Sequence, residues 1–178
     1  MTLTEINNLL SNSSIINTGT IILDEEDRNA TLNEVSITDI PNGSVFCKRI
    51  DKAKFEKFCI PNIGHNKHGD HLLLTDDGVF VFELKSASEI SEATKIDVAT
   101  KFKSDKCMFK YVDEIFTQLK GFSHFFEQQK IRCILLYQAL NVPIISSGTP
   151  PFDEMGDYFK KSIPNKGTIT YNALKSIL

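Results

Sequence analysis

The chain has 178 residues, of which 41% are hydrophobic and 24% charged, and its formal net charge is −3. This length suits a single domain with a hydrophobic core. No segment reaches the roughly 18–20 consecutive apolar residues of a membrane helix, and the first residues lack the features of a signal peptide, so a cytoplasmic location without membrane contact is expected. The cysteines are widely spaced without a C-x-x-C pair, which indicates reduced core residues and no disulfide frame: Cys47, Cys59, Cys107 and Cys133.

Charge is distributed unevenly along the chain. Residues 1–42 carry seven acids and one arginine, a net charge of −6, which leaves +3 for residues 43–178. Lysines precede and follow the segment 69–85, and such flanks are what binding to a phosphate backbone requires. A solvated surface explains any one of these lysines equally well.

The first half of the chain predicts short strands joined by polar connections. The N-terminal 40 residues indicate a strand or two, and Pro41–Gly43 predicts a turn. Ser44–Lys48 then has the pattern of a strand. A short helix is predicted over Asp51–Phe58, and Ile60–Gly64 interrupts the pattern.

The segment 69–85, GDHLLLTDDGVFVFELK, predicts two strands around Asp76-Asp77-Gly78, because Asp-Gly is a strong hairpin signal. The polar stretch 86–106 predicts a loop or a mobile helix. Phe109–Gln128 predicts a helix whose apolar stripe recurs at helical spacing: Val112, Ile115, Phe116, Leu119, Phe122 and Phe126.

The last part of the chain predicts one more central strand and then irregular structure. Ile131–Tyr137 is nearly continuously apolar, as in a strand that is buried on both faces. From Asn141 onward, prolines and glycines predict a loop, followed by a short helical piece near Asp153–Lys161. The order of strand, helix, hairpin, helix and strand predicts an α/β fold.

The hairpin places charged side chains on one face of an otherwise apolar sheet. A turn at Asp77-Gly78 pairs Asp70 with Lys85, and a turn at Asp76-Asp77 pairs Asp70 with Glu83. In both registers Asp70, Glu83 and Lys85 share a face, because side chains alternate along each strand. The opposite face is apolar and should cover a core: Leu73, Phe80, Phe82 and Leu84.

Two neighbouring buried carboxylates imply a compensating cation, since an isolated buried carboxylate would take up a proton. Carboxylate oxygens suit a hard divalent ion such as magnesium. Lys85 beside the ion would orient water or stabilise charge on a phosphate. The structural alternative is that Asp70 caps a turn while Glu83 and Lys85 form a local ion pair.

Asp70 followed by Glu83-Leu84-Lys85 resembles the motif of the PD-(D/E)xK nuclease superfamily. The resemblance implies a restriction-endonuclease-like three-layer core, with a central mixed sheet of four to five strands flanked by helices. Residues 44–137 would form this core, between an acidic N-terminal extension (1–43) and a C-terminal loop and helices (138–178). It also implies that Asp70, Glu83 and the Leu84 carbonyl bind Mg2+ or Mn2+ and that Lys85 assists the attacking water. Gly69 stands where the motif has proline.

A second similarity lies on the following helix. Gln118-Leu119-Lys120-Gly121-Phe122 is similar to the glutamine motif of the branch that includes recombination exonucleases, although Phe122 stands where tyrosine is usual. A solvated helix glutamine is the alternative for Gln118. By analogy, the expected substrate is nucleic acid, with DNA ahead of RNA. The expected setting is restriction, repair or anti-phage defence, in which a chain this short pairs with itself or with a partner subunit.

Two other interpretations are open at this point. His65, His68 and His71 are spaced by three, which invites a zinc site, but Gly64 and Gly69 favour a loop with polar histidines, one of which would contact a phosphate or the water on the metal. The net acidity and the unexplained ends favour a non-catalytic interaction module that retains a nuclease-like core.

Overall fold

The structure, a computed structural model, describes residues 2–10, 13–25, 30–50, 67–87, 89–138 and 152–178. The described helices are α1 (Leu3–Asn7), α2 (Glu92–Lys120) and α3 (Tyr171–Lys175). The described strands are β1 (Ser13–Ile15), β2 (Ile21–Asp24), β3 (Glu34–Thr38), β4 (Val45–Lys48), β5 (His71–Leu74), β6 (Val79–Lys85), β7 (Ile131–Gln138), β8 (Asp153–Glu154), β9 (Phe159–Ile163) and β10 (Gly167–Thr170). The helix and break predicted over 51–64 lie outside the described residues.

A seven-stranded mixed sheet forms the centre of the molecule, in the order β1-β4-β5-β6-β7-β9-β8. Strands β1, β4, β5 and β6 pair antiparallel, whereas β6, β7 and β9 are parallel. The predicted α/β class with a mixed sheet is confirmed, but the sheet is larger than the four to five strands expected. Strands β1, β8 and β9 widen it, and these come from the chain segments that the sequence left without a role in the core.

The two faces of this sheet are covered by different kinds of element. Helix α2 packs on one, here called the α2 face. A smaller sheet of order β10-β3-β2 and helix α3 pack on the other, here called the small-sheet face. Strand side chains on the α2 face are Leu72, Leu74, Val79, Val81 and Cys133. Those on the small-sheet face are Leu73, Phe80, Phe82, Leu84 and Ile134. Helices therefore lie on both faces, but on the small-sheet face a second sheet covers the large sheet beside the five-residue helix α3.

The small sheet joins the two ends of the chain. Strand β10, near the C-terminus, pairs in parallel with β3, which in turn pairs antiparallel with β2. Alternate residues of these strands, such as Leu23, Val35 and Ile169, are fully buried against the large sheet. Residues 1–43 and 138–178 thus both contribute to the core, since a strand with one apolar face must bury that face against another layer.

The short helix expected near Asp153–Lys161 is instead a hairpin of β8 and β9. Gly156 has φ +77°, a backbone conformation that favours glycine and turns the chain between the two strands. Strand β9 then takes its backbone hydrogen bonds from β7, with Leu136 beside Lys161. Residues near Asp153–Lys161 form strands because β7 offers an edge with which β9 can pair. Local sequence does not reveal such an edge.

Helix α2 begins and ends well before the predicted boundaries of 109–128. Its N-terminus is capped by the Ser91 hydroxyl, which accepts a hydrogen bond from the Thr94 N–H at 3.2 Å, and its C-terminus is Gly121 with φ +68°. Leu119 of the predicted stripe is 74% exposed, and Phe126 reaches the core from a separate 3-10 turn, where it stacks on Phe109. None of the described helices has the length and apolar composition to cross a membrane.

Asp113, buried on α2, holds the chain that follows the helix. Its carboxylate accepts hydrogen bonds from the backbone N–H groups of Phe125, Phe126 and Glu127 at 2.8–3.0 Å. Removing this acceptor leaves three backbone donors to be desolvated without a partner. The carboxylate therefore replaces the helical hydrogen bonds that the chain would have made by continuing α2.

We expect Asp113→Ala to lower the free energy of unfolding by about 2–4 kcal/mol, because buried donors without acceptors each cost about 1–3 kcal/mol. Urea denaturation followed by circular dichroism measures this change. Glu114→Ala, at the exposed neighbouring position, is the control and should change stability by less than about 0.5 kcal/mol. Equal stability of the two variants would contradict the assigned role of Asp113.

Candidate active site

The candidate site lies where β5 begins and β6 ends. The hairpin pairs His71 with Phe82 and Leu74 with Val79, which is the register of a turn at Asp76-Asp77. Strand β5 begins one residue after Asp70, whose N–H donates to the Phe82 carbonyl at 2.7 Å. The charge of Glu83 acts on the Asp70 carboxyl, so the two acids lie close together. Of the two registers that the sequence allowed, the structure has the one that brings the two acids together.

Asp70 is a buried carboxyl, with 5% of its surface exposed. Its Oδ2 accepts a hydrogen bond from the Leu84 N–H at 2.7 Å. Burial raises the pKa of Asp70 to about 7. The neighbouring Glu83 carboxylate also raises it, while the Leu84 N–H and Lys101 lower it. Asp70 therefore gains and loses its proton near neutral pH.

Glu83 is fully buried, and its two carboxylate oxygens have different surroundings. Oε1 forms ion pairs with Lys85 Nζ at 2.7 Å and with Lys101 Nζ at 2.6 Å. Oε2 is buried without a hydrogen-bond partner in the part of the chain that the structure describes. A buried carboxylate oxygen that no donor satisfies is costly, and a cation is the partner that would compensate it.

Lys101, on α2, is the residue of this cluster that the sequence did not assign to the site. Burial lowers the pKa of Lys101, but the charge of Glu83 and the hydrogen bond to it outweigh this effect, so the pKa is raised and the ammonium form is retained. The missed signal was the spacing of Val98, Phe102 and Phe109, which extends the helix across much of the stretch predicted as a loop or a mobile helix. On that longer helix, Lys101 lies beside the residues that face the sheet.

Asp105, one turn after Lys101, fixes the residues that precede Asp70. Its carboxylate accepts from the Gly69 N–H at 3.0 Å and lies 2.9 Å from His68 Nδ1. Burial raises the pKa of Asp105, against the effect of these two hydrogen bonds. A Cβ at position 69 would lie 2.8 Å from Val81 Cγ1, and proline would also lack the N–H that Asp105 binds. This close packing accounts for glycine where the resembled motif has proline.

The three histidines do not converge on one point within the described residues. His68 contacts Asp105, whereas His71 points to the small-sheet face and its Nε2 lies 3.0 Å from the Asp24 carbonyl. Burial lowers the pKa of His71. His65 lies outside the described residues. Across the described ranges, no group of three or more His, Cys, Asp or Glu side chains is arranged to hold a metal ion, so the histidines supply no zinc site there.

Gln118 is separated from the two acids. It is exposed on the last part of α2, 17 residues after Lys101. A helix rises about 1.5 Å per residue, so Gln118 lies about 25 Å along the axis from the residue that contacts Glu83. The structure thus brings Asp70, Glu83 and Lys85 together and leaves Gln118 apart from them.

The oxygen atoms at the end of the hairpin fit a hard divalent ion. Glu83 Oε2 is unsatisfied among the described residues, and Asp70 lies beside it. The Leu84 carbonyl faces the same edge, because the N–H and C=O of one strand residue point to the same side and the Leu84 N–H binds Asp70. Two carboxylates and a carbonyl are the oxygen ligands that magnesium prefers.

The chain matches no protein-family model, no curated protein and no solved structure.

The raised pKa of Asp70 predicts how stability depends on pH without metal. Between the unfolded value of about 4 and the folded value of about 7, folded Asp70 retains a proton that the unfolded chain releases, so stability falls as pH rises. Asp70→Asn does not titrate. We expect its stability relative to the wild type to rise by up to roughly 4 kcal/mol between pH 4 and pH 7.5.

Urea denaturation in EDTA across this pH range measures the difference. Asp76→Asn is the matched control, because Asp76 is exposed in the turn of the same hairpin, and its difference from the wild type should stay constant. If the Asp70→Asn difference is as flat as that of Asp76→Asn, Asp70 titrates as an ordinary carboxyl and its buried position is wrong.

Proposed function

We propose that this protein is a metal-dependent nuclease that hydrolyses phosphodiester bonds of nucleic acid, with DNA as the first substrate to test. The observation that carries the proposal is the Oε2 of Glu83, which is buried beside Asp70 and has no hydrogen-bond partner among the described residues, with Lys85 and Lys101 at the same end of the sheet. Enzymes that transfer phosphoryl groups need such a combination, because a cation and lysines stabilise charge on phosphate oxygens.

The order of the elements also supports this function. Strands β4, β5 and β6 form an antiparallel meander, α2 follows, and β7 then pairs in parallel with β6. The resemblance to the PD-(D/E)xK superfamily implies a core of helix, three-stranded meander, helix and strand, and the observed order agrees with it from the meander onward. Asp70 precedes the second of these strands and Glu83-Leu84-Lys85 ends the third, as in that motif.

Each residue of the site has a distinct proposed role. Asp70, Glu83 and the Leu84 carbonyl would hold Mg2+ or Mn2+. The chemistry that the ion supplies when bound is stabilisation of negative charge on the phosphoryl oxygens. Lys85, whose side chain is 28% exposed, orients the attacking water beside the phosphate. Lys101 is more enclosed and keeps the Glu83 carboxylate in place through its 2.6 Å contact with Oε1.

The reaction consumes one water molecule for each bond that is cleaved. The water oxygen forms a bond to phosphorus while one ester P–O bond breaks. The water loses a proton to solvent, and the departing oxygen gains one, so a phosphomonoester and an alcohol result. The positive charge of Lys85 favours the transition state over the bound substrate.

A non-catalytic interaction module is the second candidate, and the charge balance of the cluster favours it. Asp70 and Glu83 are matched by Lys85 and Lys101, so the four groups form a neutral set without any ion. Nearby exposed cations are also paired, as in Lys67 with Asp97 at 2.6 Å. In this case the buried charges hold α2 against the sheet and have no catalytic task.

The nuclease proposal predicts that labelled DNA is cleaved in the presence of Mg2+ or Mn2+ and not in EDTA. Glu83→Gln and Lys85→Met should each slow cleavage by at least about 100-fold, because each removes a charge that acts in the transition state. Gel analysis of single-stranded, duplex and branched substrates gives the rates. Glu89→Gln and Lys103→Met, at exposed positions, are the charge-matched controls. Full activity of Glu83→Gln would refute the assignment.

Calorimetry with Mn2+ separates the two candidate functions. The nuclease proposal requires that the wild type binds Mn2+. Combining Asp70→Asn with Glu83→Gln should lower the affinity for Mn2+ at least about tenfold, because the ligands at a metal site must be deprotonated oxygens. No binding to the wild type, or equal binding to the double variant, would favour the interaction module. Circular dichroism of the double variant establishes that it is folded.

A further inference from the structure

A row of three polar residues continues from the candidate active site across the large sheet. Lys85 is the register partner of Tyr137 on β7, and Tyr137 is the register partner of Ser162 on β9. Neighbouring strands lie about 4.8 Å apart, so the row spans about 10 Å between its outer Cα atoms. It lies at the carboxyl ends of three parallel strands, the edge at which open α/β sheets bind ligands.

The three side chains lie on the α2 face, the face that carries Glu83. Two residues before Lys85 and Tyr137 are Glu83 and Leu135, and Leu135 belongs to the core under α2. Ile163, the neighbour of Ser162, packs on the small-sheet face, so Ser162 faces the opposite way. Lys85, Tyr137 and Ser162 are thus side by side on one surface.

Neither hydroxyl in this row bonds to another of the described residues. Tyr137 and Ser162 are both half-buried, and within the described ranges neither the Tyr137 hydroxyl nor Ser162 Oγ forms a hydrogen bond with another residue. A partly buried tyrosine hydroxyl ordinarily has a hydrogen-bond partner. For Tyr137, water or a ligand would supply that partner. Tyr171, whose ring is buried, differs in that its hydroxyl bonds Thr75 and Asp77.

The chemistry of the row suits an anion with several oxygen atoms. It contains one ammonium group and two hydroxyl donors, and no acid lies between them. The adjacent row pairs Glu83, Leu135 and Lys160, and Glu83 is directed to the ion-pair cluster. Phosphate contacts of nucleic-acid-binding proteins are made by lysine, serine and tyrosine donors of this kind.

We propose that Tyr137 and Ser162 bind the phosphodiester next to the one that is cleaved, so the site takes an oligonucleotide and reads at least two consecutive phosphates. This inference rests on the proposed nuclease function, since Lys85 links the row to the cleavage centre. The Tyr137 hydroxyl and Ser162 Oγ donate to the non-bridging oxygens of the second phosphate. Binding there aligns the scissile phosphate with Asp70 and Glu83.

The test compares two labelled thymidine oligonucleotides of equal length, bound in Ca2+ and followed by fluorescence anisotropy. One has only phosphodiester linkages, and in the other every second linkage is a neutral methylphosphonate, so that no phosphodiester has a charged neighbour. The Kd of the methylphosphonate oligonucleotide divided by the Kd of the phosphodiester oligonucleotide reports recognition of the second phosphate. In the Tyr137→Phe/Ser162→Ala double variant this ratio should fall by at least about tenfold, because hydrogen bonds to charged groups are strong.

Tyr111→Phe, at an exposed position on α2, is the control and should keep the wild-type ratio. If the double variant also keeps that ratio, or if the wild type binds neither oligonucleotide, the inference is wrong. Hydrolysis of bis(p-nitrophenyl) phosphate by the wild type in Mn2+ is measured in parallel, because this diester has no second phosphate. Activity there together with an unchanged ratio would refute the subsite alone, whereas the absence of all hydrolysis would count against the nuclease itself.

Discussion

Compensation of the buried Glu83 carboxylate is the interaction on which the rest of the site depends. Glu83 has no exposed surface, yet Lys85 and Lys101 both contact one of its oxygens, at 2.7 and 2.6 Å. A buried carboxylate without such partners would cost several kcal/mol and would take up a proton. The buried Glu83 carboxylate is stabilised because Lys101 on α2 and Lys85 at the end of β6 both contact it. The second oxygen has no hydrogen-bond partner among the described residues, and the proposed metal site depends on it.

Helix α2 couples the two acids, because residues four apart lie on the same helix face. Lys101 binds Glu83 on one strand, while Asp105 accepts the Gly69 N–H at 3.0 Å and so fixes the approach to Asp70 on the other. One turn of one helix therefore sets the relative positions of both carboxylates. Polar groups held in this way act as a rigid frame, since each is satisfied by a group on a different element. A non-catalytic interaction module would need the same hydrogen bonds and ion pairs. The feature that favours the nuclease over that module is Glu83 Oε2, which has no partner among the described residues.

The large sheet places these groups at one edge because of its mixed topology. Strand β5 starts where β6 ends, and β7 and β9 run parallel to β6, so the start of one strand and the ends of three others meet. Apolar side chains fill most of both faces of the sheet, and the charged cluster of Asp70, Glu83 and Lys85 lies at this edge. Lys85, Tyr137 and Ser162 lie side by side at this edge. The N- and C-terminal parts of the chain contribute the small sheet that buries the opposite face.

Local sequence patterns determined the β5–β6 hairpin, the shared face of Asp70, Glu83 and Lys85, and the apolar strand β7, because alternation and continuous apolar runs are read directly from neighbouring residues. Sequence could not choose between the two hairpin registers, since both keep the same faces. Tertiary contacts decided the register, the strands β8 and β9 in place of a helix, and the arrival of Lys101 at Glu83. Each of these depends on residues far apart in the chain: β9 needs the free edge of β7, and Lys101 needs the sheet beneath α2. Contacts between residues that are far apart in the sequence depend on how the whole chain packs, so no local sequence pattern predicts them.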